Sequence, residues 1–162
     1  MRRWSGAVVM GIVASVAVAA VAAQTPAQQT GKRPIARATG LRCSFANQVK
    51  GQWRPDGSAD IAIGKAALTL RFEEIDTDAG TAQLRTGAMS SELIVRASEG
   101  YLNFLQVFRT GPIYTTTVFD AGSSGGKFKA VHSRHEYFDV PLPGTTSTPE
   151  QYYGECESVP SA

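Results

Sequence analysis

Most of the common chemical signatures are missing from this 162-residue chain. It holds two cysteines and two histidines, which leaves a structural zinc centre without its three or four ligands. Charged residues make up only 19%, and the 43% of hydrophobic residues suit one globular domain, so a long disordered tail or a collagen-like repeat is excluded. The Gly-x-Ser-x-Gly spacing occurs once, at Gly122, Ser124 and Gly126, but in a glycine–serine stretch with no helical period after it to form a strand–elbow–helix, so it gives Ser–His–acid catalysis no support. No Asn-x-Ser/Thr acceptor, no internal repeat and, after residue 23, no sustained helical period is found. The glycine-rich stretch 122–126 is followed by Lys127, but Ala121 stands where a phosphate-binding loop needs its first glycine, so the stretch reads as a hairpin tip. Asp76, Asp78 and Gly80 have a calcium-loop flavour, yet the glycine comes one place early and no distal Glu has the required spacing, so a turn is expected there.

The one long uncharged run is at the start. Arg2 and Arg3 precede residues 6–23, rich in Ala and Gly, and Val21-Ala22-Ala23 offers the small residues a signal peptidase reads. Residues 1–23 are therefore expected to be a cleaved signal peptide, with no stable membrane span left afterwards and a periplasmic or secreted destination. Without Arg2 and Arg3 the balance is 14 basic against 14 acidic groups, which provides no field for collecting nucleic acid. The charge is uneven. Residues 24–55 carry Lys32, Arg33, Arg37, Arg42, Lys50 and Arg54 with no acid, whereas the rest is acidic. Residues 24–40, polar and with two prolines, are expected to form a flexible tether.

Export changes the meaning of the cysteines. An oxidising compartment favours pairing Cys43 with Cys156, the single intramolecular connectivity available. The body between them, residues 41–157 followed by a short tail at 158–162, reads as strands. Leu68, Leu70 and Phe72 alternate with Thr69, Arg71 and Glu73, a period of two that places three apolar groups on one face. Residues 81–85 and 92–97 alternate similarly. Residues 101–108 are apolar at nearly every position, so a strand covered on both faces is expected. Residues 113–119 contain a β-branched run, and residues 128–137 make another long candidate. Turn residues at 55–57, 78–80, 98–100, 111–112 and 122–126 separate them. This rhythm predicts an all-β fold, a small antiparallel barrel of about eight strands, with a two-sheet sandwich as the alternative. A Cys43–Cys156 bridge would clasp its first and last elements.

Gly51-x-Trp53, together with Cys43-Ser44, Asp56-Gly57-Ser58 and Ile63-Gly64, resembles the opening of calycin-type barrels, the lipocalins and avidins. The resemblance implies a Trp53 that plugs the barrel floor and a late-strand Arg134 packed on it. The pocket tryptophans of avidins have no counterpart, because Trp4 lies in the signal, so no ligand identity follows. The tail also resembles small exported bacterial proteins of unassigned function.

Residues 132–136 (His132, Ser133, Arg134, His135, Glu136) form the densest polar cluster. In a strand, His132 and His135 point to opposite faces and cannot share a metal ion, whereas His132, Arg134 and Glu136 share one face. Turned inward, that set would make a polar network or line a pocket. The candidate ligand-binding residues are Trp53, Tyr101, Tyr114, His132 and Arg134, with no cofactor and no metal. The expected function is non-enzymatic binding of a small apolar or amphipathic ligand at the barrel mouth, in the cell envelope. The alternatives are a barrel cyclase or isomerase using His132 and Arg134, and an inhibitor-like module that binds an envelope protein through its loops. A hollow interior favours the first two; a packed one favours the third.

Overall fold

The computed structural model describes residues 34–136 and 148–161, apart from the side chains of 121–124. The expected signal peptide, residues 24–33 of the expected tether, Tyr137 and Ala162 lie outside the described residues. Eight strands follow in order: β1 (Leu41–Trp53), β2 (Ala59–Asp76), β3 (Thr81–Thr86), β4 (Met89–Ser98), β5 (Tyr101–Val107), β6 (Ile113–Ser124), β7 (Lys127–His135) and β8 (Glu150–Ser158). Each pairs antiparallel with the next, and β8 returns to β1, so the sheet is an up-and-down closed barrel. No α-helix occurs among the described residues.

The alternation of side chains builds the core. Leu41, Cys43 and Phe45 of β1, Leu70 and Phe72 of β2, Ala82 and Leu84 of β3, and Leu93 and Val95 of β4 are buried at every second position. Phe72 stacks on Phe104 with ring centroids 4.2 Å apart. Strand β5 departs from its expectation. Leu102 and Phe104 point inward, but Tyr101 and Val107 are 47% and 60% exposed, so one face only is covered. The expectation of two covered faces came from a run of apolar residues whose outer members face away from the core.

Cys43 and Cys156 are opposite each other in the β1–β8 register, fully buried and joined by a disulfide. The bridge spans 113 positions and ties the first strand to the last. Such a cross-link is compatible with an oxidising location. Non-reducing digestion should yield one linked peptide pair containing Cys43 and Cys156. Removing both thiols should lower stability by about 3 kcal/mol. Alkylation of both cysteines without reductant would contradict the assignment.

One end of the barrel is closed by chain that composition reads as loose. Residues 34–40 do not continue the expected tether. Pro34–Arg37 forms a 3-10 turn whose Ile35 is fully buried in the core, beside Ala38. Main-chain bonds hold the segment: Ile75 N–H donates to the Thr39 carbonyl at 3.0 Å, and Val159 N–H donates to the Gly40 carbonyl at 3.0 Å. The Ser161 hydroxyl donates to the same Thr39 carbonyl at 2.6 Å, so the expected C-terminal tail is fastened here too. Nearby, a register shift between Glu73 and Asp76 coincides with left-handed backbone at Glu74, φ 51°. Glu73 is buried there between Arg71 and Arg85, at 2.5 and 2.9 Å. The Arg71 hydrogen bond holds its carboxyl below the usual range.

The other end is uneven. The β2–β3 ladder begins at Arg71↔Arg85, so among the described residues 59–70 of β2 have a strand partner only on the β1 side. The β1–β8 ladder ends at Lys50↔Glu150. Beyond it, the β1–β2 hairpin continues as a two-stranded arm with no further strand partner among the described residues.

Candidate functional site

Two rows of inward-facing side chains meet at this uneven end. Register aligns Tyr114 (β6), Arg134 (β7), Glu150 (β8) and Lys50 (β1) in one row. Thr116, His132, Tyr152 and Gln48 form the row beneath it. Opposite residues of an antiparallel ladder share a face, so four strands deliver one contiguous cluster.

The Arg134 guanidinium is its centre. It stands over the rings of Tyr114 and Tyr152, at 5.3 and 5.2 Å from their centroids, as cation–π contacts require. Arg134 Nε donates to His132 Nε2 at 3.3 Å. Arginine has no acceptor, so His132 Nε2 must carry the lone pair. The proton is therefore on Nδ1, which donates to Thr116 Oγ1 at 2.8 Å. The Tyr114 hydroxyl donates to Glu136 at 2.8 Å, and the Tyr152 hydroxyl donates to Glu150. Lys50 pairs with Glu150 at 2.8 Å, and Arg134 Nη1 lies 4.0 Å from the same carboxylate. Two cations face two carboxylates, so the cluster is neutral.

These surroundings fix the protonation states. Burial, then the Arg134 charge, pushes His132 down to about 3, so its imidazole is neutral at physiological pH. Burial, reinforced by the bond to Glu136, raises Tyr114 to about 12. Burial and the Glu150 bond raise Tyr152 to about 12. The histidine lone pair is occupied and both phenols are held as donors. None of the described buried side-chain polar atoms lacks a hydrogen-bond partner. Chemically, the cluster can orient a neighbouring group, with the His132 lone pair and its proton both engaged.

Beneath it, the cavity lined by Phe72, Leu84, Leu93, Phe104, Thr116 and His132 has a volume of about 10 Å3, room for roughly one water molecule.

His132, Arg134 and Tyr114 thus come together as candidate residues, joined by Glu136, while His135 is exposed. Trp53 and Tyr101 do not join them. Trp53 is 64% exposed at the end of β1, beyond the last β1–β8 pair. It neither plugs a floor nor carries Arg134, whose aromatic partners are the two tyrosines. The physical reason is the irregularity between Phe45 and Asn47, after which the odd-numbered residues of β1 turn outward. Tyr101 is at the opposite end, outward, edge-on to Phe119 at 5.6 Å. Sequence reasoning missed Thr116, Glu150 and Tyr152 as members of the cluster. The registers of β6 and β8 on either side of β7 bring them to His132 and Arg134, and alternation within one strand does not reveal a register. No family model, curated protein or solved structure matches this chain.

Proposed function

We propose that this protein is a non-enzymatic module of the exported space that recognises another protein from its outer surface. The observation that carries the reading is the filled interior. The cavity beneath His132 measures about 10 Å3, against the roughly 300–1,000 Å3 of small-molecule sites, so the barrel interior has no room for an apolar ligand, and the cleft of about 360 Å3 beside Arg134 and Tyr152 lies outside it, open at the rim. The enzymatic alternative loses its chemistry as well, because the His132 lone pair is taken by Arg134 and its proton by Thr116. The outer surface is different. Trp53, Ile61 and Ile63 are exposed together on the two-stranded arm, on the same side of a ladder that pairs Trp53 with Ala59, Gly51 with Ile61 and Val49 with Ile63. A large apolar group left in water at such density marks an interaction surface. The buried disulfide supports an oxidising compartment for that interaction.

The test is native mass spectrometry of the protein purified without denaturant from the exported fraction of its own host. The expected result is a stoichiometric polypeptide partner and no small-molecule adduct. The double substitution of Trp53→Asp and Ile63→Asp should release that partner while leaving the folded barrel intact by circular dichroism. A retained small apolar mass, or a partner that survives the double substitution, would overturn the reading.

A further inference from the structure

We propose that the outer face of β1, β2 and β3 carries a binding site for a phosphate group, free or as a terminal monoester, formed by Arg42, Arg71 and Arg85. The site is at the other end of β1 from Trp53 and stands independently of the outer-surface reading above.

Register supplies the first argument. Arg42 is opposite Arg71, and Arg71 is opposite Arg85. Their inward neighbours Leu41, Cys43, Leu70, Phe72 and Leu84 are buried, so all three arginines share the outer face. Neighbouring strands are about 4.8 Å apart, which sets three like charges side by side across roughly 10 Å of sheet. Like charges directly opposite each other destabilise a ladder. Sheet stability therefore gives no reason for three adjacent arginines, and local conflicts of this kind persist at functional sites.

The second argument is a buried carboxylate. The Glu73 side chain is only 5% exposed, and each of its oxygens accepts one guanidinium: Arg71 Nε at 2.5 Å and Arg85 Nε at 2.9 Å. Glu73 thus holds both forks by their inner edges. Their outer ends stay in water, with the two arginine side chains 39% and 44% exposed. Both terminal nitrogens of Arg85 and Nη1 of Arg71 make no hydrogen bond to another described residue, and Arg71 Nη2 reaches only the Pro160 carbonyl, at 3.4 Å. Arg42 spends Nε and Nη2 on Glu157, which leaves its Nη1. Guanidinium forks fixed at one edge and open at the other are preorganised for an oxyanion.

Charge selects the oxyanion. The three guanidiniums have one carboxylate of their own, Glu73, and share a second, Glu157, with Lys127, which is opposite it on β7. The Arg42 bond and, more weakly, the Lys127 charge hold the Glu157 carboxyl below its usual range. Glu92, diagonal to Arg85 across β3 and β4, forms no ion pair with it. More than one positive charge is therefore left over, and a single carboxylate ligand would match it only in part. A phosphate monoester carries about −1.5 to −2, and its free oxygens can occupy several guanidinium N–H groups at once.

The full chain tests this at about 0.15 M salt, where diffuse surface attraction is largely screened. Calorimetry uses inorganic phosphate and acetate. Vesicle sedimentation uses phosphatidylcholine with and without phosphatidic acid, whose headgroup is a phosphate monoester. Phosphate, in whichever of the two forms binds, should be lost at least about tenfold in Arg85→Gln. Arg85→Lys keeps the charge but not the fork, and it should lose as much. Sedimentation that depends on phosphatidic acid assigns a lipid headgroup, and binding of inorganic phosphate without sedimentation assigns a soluble ester; either supports the site. If Arg85→Gln fails to fold, the side-chain nitrogen-15 signals of Arg71 and Arg85 in the parent serve instead and should move together on phosphate titration while Arg54 stays still. Absence of binding in both assays, acetate binding as tightly as phosphate, full retention in Arg85→Gln or Arg85→Lys, or unmoved Arg71 and Arg85 signals would each overturn the proposal.

Discussion

Alanine at position 154 is expected to destabilise the barrel by on the order of 4–5 kcal/mol. Gly154 lies in β8 opposite Phe45 of β1 and Ala130 of β7. A methyl group added there would stand 2.0 Å from the Ser44 carbonyl oxygen and 2.7 Å from the Phe45 Cα. Both obstacles are backbone, so no side chain can rotate out of the way. The irregularity of β1 between Phe45 and Asn47 presses the strand into the space a Cβ would need, the close backbone approach that glycine permits in a sheet. To admit the methyl, β1 must separate from β8. That seam closes the ring, and two residues away it carries the Cys43–Cys156 bridge. Urea denaturation of Gly154→Ala against the parent measures the loss. Gly64→Ala is the control. Its nearest neighbour is the Gln48 side chain at 3.7 Å, and its cost should stay within about 0.5 kcal/mol. Near-equal midpoints for Gly154→Ala and the parent would show that β1 does not approach β8 so closely.

The same seam explains how far the chain could be read beforehand. Alternation at Leu68, Leu70 and Phe72 identifies a strand and its inner face, and those residues pack inward as the pattern requires. Strand alternation also puts His132 and Arg134 on one side, and they meet there. Periodicity fails wherever its phase slips. Ala46 shifts the phase of β1, so Trp53, placed on the floor by its motif, is carried past the rim and outward. Composition fails where one residue outweighs its neighbours. Ile35 is the lone large apolar group in a polar stretch, and its burial is what anchors residues 34–40. The partners of Arg134 were hidden for a third reason. Tyr114 and Glu150 reach its row through the registers of β6 and β8 on β7, and Lys50 only after the first and last strands have paired, and none of these registers is written in the alternation of a single strand.

Acid should expose the cost of burying His132. In the unfolded chain this side chain takes up a proton near pH 6.5, whereas in the barrel it resists protonation down to about 3. Between those values the unfolded state binds more protons, so stability must fall as pH falls. It is fully retained above 6.5 and declines by about 1.4 kcal/mol per pH unit below it, reaching roughly 4–5 kcal/mol near pH 3. Carboxylates contribute later. Glu73, Glu155 and Glu157 are held below 4.5 by their arginine and lysine partners. Their stabilisation is present above 4.5 and is lost only as pH drops through their lowered folded-state values. The interval from pH 6.5 to 5 therefore isolates the histidine. Urea unfolding across that interval should show the slope in the parent and a much flatter line in His132→Gln, which keeps polar atoms near Thr116 and Arg134 but cannot titrate. Should that variant fail to fold, the imidazole carbon-13 shift of His132 in the parent gives the same information and should remain that of the neutral Nδ1–H tautomer at pH 5. A flat parent profile, or an imidazolium signal at pH 5, would mean that water reaches His132. The packing of Tyr114, Arg134 and Tyr152 around His132, on which the filled-interior argument depends, would then be loose.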